Sequence, residues 1–89
     1  MENKVKHNEK DARFELTKDG HTAYVAYRMQ PGVMDIYKTL IPQPMEGKGI
    51  GRVLMDEAIN YVHVNRLTLK ASCPFARAYM LRRPELQES

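Results

Sequence analysis

The chain has 89 residues, and its 14 Lys and Arg against 11 Asp and Glu give a formal charge of +3. Hydrophobic residues make up 43% and charged residues 28%, which is typical of one soluble globular domain and excludes a disordered or collagen-like chain. No apolar run approaches the roughly 20 residues that a membrane-spanning helix needs. The charged start lacks the apolar stretch of a secretory signal, and one cysteine permits neither an intrachain disulfide nor a cysteine-based zinc site. We therefore expect a cytoplasmic protein with no metal site and no membrane contact.

The first twelve residues are mostly Asn, Lys, Glu and Asp, and they predict a solvated, frayed arm. We expect the folded domain to span residues 13–85 and a short polar tail to cover residues 86–89. His7 in the arm, together with His21 and His63, is expected at the surface.

The next part of the chain predicts three strands. Apolar and polar residues alternate from Arg13 to Thr17, which is the pattern of a half-buried strand. Asp19-Gly20 then indicates a hairpin turn. Two further segments, 22–29 and 33–41, are rich in aromatic and β-branched residues. Together they predict an antiparallel three-stranded meander.

The second half of the chain predicts two helices around one more strand. Apolar residues recur three and four apart between Ile50 and Val62, which indicates a helix that ends near Asn65. Residues 66–71 follow as a short strand. A second helix is expected to begin at Pro74, because proline is favoured at the first helical position. The resulting order of three strands, helix, strand and helix predicts an α+β fold with the helices packed on the sheet.

Three glycines alternate in the loop Gly47-Lys48-Gly49-Ile50-Gly51, between the third strand and the first helix. Glycine allows tight turns and close approach to the backbone, and the first amides of a helix lack partners at its positive end. The loop therefore predicts an anion site suited to phosphate, with positive charge from Lys48 and Arg52. Its spacing matches neither the P-loop nor the dinucleotide fingerprint, and a glycine-rich helix start without a ligand is the alternative.

Further motifs occur on both sides of this loop and combine with it into one pattern over residues 13–85: Phe14, Asp19-Gly20, Ala23, Tyr27, Thr39-Leu40-Ile41-Pro42, Cys73-Pro74-Phe75, Tyr79 and Arg83-Pro84-Glu85. This pattern resembles the GNAT superfamily of N-acetyltransferases, and most closely its minimal single-domain proteins. The resemblance implies a minimal GNAT-like fold that binds acetyl-CoA and moves its acetyl group to an amine, such as a protein lysine, a polyamine or a small amine. It also implies that the amides of residues 47–52 hold the diphosphate. The pantetheine arm would then pair with the chain at Leu40, Ile41 and Pro42.

The resemblance suggests two catalytic residues. Cys73 would lie near the acetyl thioester, at a helix start that favours the nucleophilic thiolate. It would accept the acetyl group or line the pocket, and a small buried core residue is the alternative. Tyr79 stands where many GNAT enzymes keep a tyrosine that protonates the departing thiolate, with core packing as its alternative.

Three positions depart from the family pattern. Lys38 replaces a histidine, which removes a candidate base, Glu46 replaces Gln or Arg at the start of the loop, and Ala71 replaces a proline. A non-catalytic CoA- or acyl-CoA-binding module is therefore the alternative function. A third hypothesis is a surface for nucleic acid or a protein partner around Arg77, Arg82 and Arg83. The basic residues of the chain form no continuous stripe, which is unusual for a nucleic-acid surface.

Overall fold

The computed structural model of the chain describes residues 4–81, which form five strands and two helices. The strands are β1 (Lys6–Asn8), β2 (Arg13–Lys18), β3 (His21–Gln30), β4 (Val33–Leu40) and β5 (Thr68–Ala71). A 3₁₀ turn (Gln43–Met45) follows β4, and the helices are α1 (Ile50–Val64) and α2 (Pro74–Leu81).

The five strands form one mixed sheet in the order β1-β2-β3-β4-β5. Hairpin connections make β1 to β4 antiparallel, whereas α1 crosses over between β4 and β5 and makes that pair parallel. The predicted α+β fold, with its meander followed by helix, strand and helix, is confirmed. Within residues 4–81, neither helix has the length and apolar character needed to cross a bilayer.

Strand β1 corrects the expectation of a solvated arm over residues 1–12. Lys6–Asn8 pairs with β2 in the register His7↔Phe14. The ring of His7 stacks on Phe14 with centroids 4.1 Å apart, and its Nε2 lies 2.5 Å from the hydroxyl of Tyr27. The expected surface position of His7 is therefore wrong, while His21 and His63 are exposed. Pairing and ring contacts with distant residues hold a strand whose own sequence has little β propensity.

The C-terminal boundary lies outside the described residues. The expected end of the domain at residue 85, the tail over 86–89, and Arg82 and Arg83 all fall there.

The hydrophobic core lies between one face of the sheet and both helices. The predicted stripe of α1 supplies Leu54, Ala58 and Val62, all buried. They meet alternate residues of the strands, and the largest fully buried side chains come from both layers: Leu16, Val25, Met34, Ile36, Leu54 and Met55.

A β-bulge divides strand β4 into two halves. Ala26 of β3 lies opposite Lys38, but the next residue, Tyr27, lies opposite Ile36, so Tyr37 is the extra residue. Strand β5 pairs with β4 only as far as Ile36, where both following amides, of Ser72 and Cys73, donate to the Ile36 carbonyl at 2.9 and 3.1 Å. The next residues of β4, up to Leu40, have no strand on that edge among the described residues. The two strands therefore part after the bulge and leave an opening between them.

Candidate functional site

A pocket of about 520 Å³ lies where the glycine loop, the end of β4 and helix α2 meet. Its floor and walls are mainly apolar side chains and glycine backbone. The lining residues are Ile41, Met45, Glu46, Gly47, Gly49, Ile50, Gly51, Arg52, Phe75 and Tyr79. A concave, mostly apolar pocket of this size with a few polar groups is typical of a small-molecule site.

The loop that forms one side of the pocket depends on glycine for its backbone conformation. Gly47 and Gly49 have φ values of 77° and 74°, in the left-handed region that L side chains rarely adopt. Gly49 is also the N-cap of α1 and makes no side-chain cap. Space beyond both α-carbons is open, so a ligand can approach the main chain there.

Gly51 has a different role, since it lies inside the first turn of α1. A Cβ built there would lie only 2.6 Å from Cζ of Phe75. The absence of a side chain at Gly51 therefore lets α2 place an aromatic ring directly against the start of α1.

The amides of this loop are the strongest chemical feature of the site. The first backbone bond of α1 is made by Val53, which donates to the Gly49 carbonyl at 3.2 Å. Among the backbone hydrogen bonds of residues 4–81 outside the regular elements, none is donated by an amide of residues 47–52. These amides surround the positive end of a 15-residue helix, where an anion is stabilised. Arg52 adds a positive charge to the pocket and Glu46 a negative one at its exposed mouth.

Most of the residues predicted to bind the donor are brought together by the fold. Ile41, Gly47, Gly49, Ile50, Gly51 and Arg52 all line the pocket. Leu40 and Pro42 flank Ile41 at the end of β4, and Lys48 lies exposed in the loop, but these three do not line it. The sequence analysis missed Met45 and Phe75. Phe75 belongs to the pocket because its ring packs against Gly51. These two residues lie far apart in the chain, so the sequence alone does not show the contact.

Cys73 lies at the start of α2, as the sequence predicts. Its carbonyl accepts the first hydrogen bond of the helix, from the Arg77 amide at 2.9 Å. Cys73 is only 5% exposed, and its thiol lies 3.3 Å from the hydroxyl of Thr39, at the inner end of the opening between β4 and β5. It belongs to the core cluster and does not line the pocket.

Tyr79 is half-buried and does line the pocket. Its hydroxyl donates to the carboxylate of Asp56 on α1. The two helices are therefore joined at the pocket by a hydrogen bond that holds the phenol.

Asp35 fixes the turn that leads from β5 into α2. Its carboxylate is buried and accepts hydrogen bonds from the amide and the hydroxyl of Ser72, at 3.1 and 3.0 Å. Because Ser72 immediately precedes Cys73, this carboxylate sets the position of the thiol. Within the described part of the chain, no group of three or more His, Cys, Asp or Glu side chains could hold a metal ion.

Comparisons with known proteins identify the family of the chain. Residues 13–89 match the GCN5-related N-acetyl-transferase family, so the chain belongs to that family. Members typically use acetyl-CoA as the acyl donor. Among curated proteins no significant match is found.

A solved structure supports the fold independently. The chain is similar to the solution structure of a GCN5-like protein from Staphylococcus aureus, with a TM-score of 0.77 and 24% identity. The similarity covers 98% of this chain and 87% of that one. The family resemblance noted in the sequence and the minimal GNAT-like fold are therefore confirmed.

Proposed function

We propose that this protein binds acetyl-CoA in the pocket and transfers the acetyl group to an amine. The observation that carries the proposal is the set of unpartnered amides at residues 47–52. They surround the positive end of α1 beside an apolar pocket that leads to the open edge of β4. A diphosphate is the anion that such an arrangement suits.

The rest of the donor fits the neighbouring groups. Lys48 and Arg52 would offset the diphosphate charge, while exposed Glu46 can keep its carboxylate in solvent. An extended, amide-bearing arm can pair with the free edge of β4 at Leu40 and Ile41, as peptides add to sheet edges. The thioester would then lie in the opening between β4 and β5.

The transfer needs positioning more than covalent chemistry from the protein. A neutral amine attacks the thioester carbonyl, the C–N bond forms, the C–S bond breaks, and the sulfur leaves as thiolate. The nitrogen releases one proton to solvent as the amide forms, and this balances the proton that the thiolate takes up. Tyr79 is the candidate donor of a proton to that thiolate. Its hydroxyl would leave the carboxylate of Asp56 and donate to the sulfur instead. The buried thiol of Cys73 lies outside the pocket lining, which favours direct transfer over an acetyl-cysteine intermediate.

Two glycine variants with equal backbone strain test donor binding. Gly47 and Gly32 both have φ 77° and open space beyond the α-carbon, but Gly32 lies in the β3–β4 turn, away from the pocket. Gly47→Ala and Gly32→Ala should lose similar stability, and only Gly47→Ala should lose CoA affinity.

The measurements are calorimetric titration and thermal unfolding with CoA. Ligand at 100 times its Kd stabilises by about 2.7 kcal/mol, which for a domain of this size is a Tm shift of about 10 °C or more. Equal CoA affinity in both variants, or no CoA binding by the wild type, would contradict the proposal.

A non-catalytic acyl-CoA-binding module is the second candidate. Two observations favour it. The Tyr79 hydroxyl is already engaged by Asp56, and Lys38 stands where the family pattern has a candidate base. Turnover separates the two functions: Tyr79→Phe should lower kcat by about 100-fold or more if the phenol acts as an acid. The control is Tyr61→Phe, because Tyr61 packs against His7 and does not line the pocket. CoA binding without acetyl transfer to any amine would favour the module.

A further inference from the structure

The face of the sheet opposite the core carries no helix among the described residues. Both α1 and α2 pack on the core face, against side chains that alternate with those of the opposite face. We call the opposite side the outer face. Its central residues are Arg13, Tyr24, Ala26, Arg28, Tyr37 and Lys38.

The outer face presents one cation from every strand: Lys6, Arg13, Arg28, Lys38 and Lys70. Neighbouring strands lie about 4.8 Å apart, so these cations spread across roughly 19 Å. The acidic strand residues on this face are already engaged. Glu15 pairs with Arg13 at 2.5 Å, and Asp35 is buried beneath Ser72. The two carboxylates offset part of the positive charge, Glu15 that of Arg13, but five cations against two acids leave the outer face with a net positive charge.

Three of these cations converge on one small residue. Ala26 lies in register with Arg13 on one side and Lys38 on the other, and Arg28 is two residues along the same strand. An anionic side chain placed over Ala26 would lie within reach of all three. A carboxylate can take charge-assisted hydrogen bonds from each of them.

Two arginines of the outer face stack on tyrosines. The guanidinium of Arg13 lies 4.6 Å from the ring centroid of Tyr24, and that of Arg28 lies 4.3 Å from Tyr37. Stacking holds both guanidinium groups in place. Nε of Arg13 already donates to Glu15, which leaves its Nη groups and the guanidinium of Arg28 to bind a further carboxylate. The stacking also occupies the ring faces on which the bases of a single-stranded nucleic acid would stack.

The outer face borders the opening where the thioester would lie. Tyr37 and Lys38 form the bulge at which β4 parts from β5. We propose that the outer face docks the acceptor, and that the acceptor is an acidic polypeptide segment whose amine reaches this opening.

This inference rests on the proposed acetyl transfer. The positive charge of the outer face would repel a polyamine, and the cationic surface is wider than a small amine. Both observations favour an acidic polypeptide as the acceptor.

Acetyl transfer to two peptides tests the inference. Both carry one lysine, flanked by glutamates in the first and by glutamines in the second. The acidic peptide should have a KM at least tenfold lower. Arg28→Gln should raise that KM roughly two- to fivefold, as expected for loss of one exposed charge pair. The KM for acetyl-CoA should stay unchanged in this variant.

The matched control is Arg66→Gln, which removes an exposed arginine from the turn between α1 and β5, at the far end of β5 from the opening. It should leave both peptide constants unchanged. Because exposed charge pairs are screened, raising the salt concentration should narrow the difference between the two peptides.

A second readout separates this inference from the proposed function. Fluorescence anisotropy with labelled peptide and no acetyl-CoA should show tighter binding of the acidic peptide, weakened by Arg28→Gln. Equal use of the two peptides with acetyl transfer intact would overturn the inference alone. Tighter binding of a single-stranded oligonucleotide than of the acidic peptide would overturn it as well. Failure to bind CoA would instead overturn the proposed function.

Discussion

Replacing Gly51 with alanine tests the contact that shapes the pocket between α1 and α2. The new Cβ would lie 2.6 Å from Cζ of Phe75 and 3.3 Å from Cε1 and Cε2. Carbon atoms pack comfortably at about 3.5–4.0 Å, so the ring must retreat by about 1 Å. Phe75 is 40% exposed, which lets the ring move outward without displacing the backbone.

Two opposing terms set the size of the effect. Alanine in place of glycine stabilises a helix by about 0.5–1 kcal/mol. Overpacking a contact typically costs about 1–3 kcal/mol. In the wild type the two terms oppose each other, and Gly51→Ala should change the free energy of unfolding by between zero and a loss of about 2 kcal/mol. In a Phe75→Ala background the clash is absent, and the same change should stabilise the protein by about 0.5–1 kcal/mol.

Urea unfolding of the wild type, both single variants and the double variant gives the coupling free energy directly. We expect a coupling of about 1–3 kcal/mol. Titration with CoA should show weaker binding to Gly51→Ala, because the displaced ring belongs to the pocket wall. A coupling below about 0.5 kcal/mol, the limit for independent sites, would refute the reasoning.

Three further predictions concern groups around the core and the site. Burial lowers the pKa of His7, and Glu9 partly opposes this shift. The unfolded chain therefore takes up the proton first, and stability falls as the pH drops below about 6.5. His7→Asn should flatten this part of the Tm–pH curve, and an unchanged curve would show that His7 is not responsible for the pH dependence. Asp35→Ala should cost about 1–3 kcal/mol in urea unfolding, because it removes the carboxylate that accepts from both the amide and the hydroxyl of Ser72 and leaves the amide only its bond to the Ile36 carbonyl. Ser72→Ala loses only the hydroxyl bond and should cost less; equal losses would contradict these roles. Cys73→Ala should retain the rate of acetyl transfer within a few-fold. The opposite result, an acetylated wild-type chain in intact-protein mass spectrometry together with loss of turnover in the variant, would show that the acetyl group passes through the thiol.

Much of the fold could be predicted because its local signals agree. The Asp19-Gly20 turn, the alternation in β2 and the apolar stripe of α1 each indicate the element that forms. Strand β1 could not be predicted, because its one inward residue is His7. Two partners of that ring, Tyr27 and Tyr61, lie far along the chain. The bulge at Tyr37 is equally hidden, since it is defined only by the register of β4 against β3.

The candidate site shows the same division. The glycine pattern predicted the loop because Gly47 and Gly49 adopt a conformation that few other residues tolerate. The contact of Phe75 with Gly51 and the hydrogen bond from Tyr79 to Asp56 depend on how two helices pack. Such contacts leave no periodic signal in the sequence, so only the structure places those residues together.

The most direct test of the central claim is a titration of the ¹⁵N-labelled protein with CoA, followed by its backbone amide resonances. We expect the largest shifts at the amides of residues 47–52, followed by those at the end of β4. The adenosine 3′,5′-bisphosphate fragment, which lacks the diphosphate link to pantetheine, should shift them less. Unshifted loop amides at saturating CoA, or shifts confined to another surface, would contradict it.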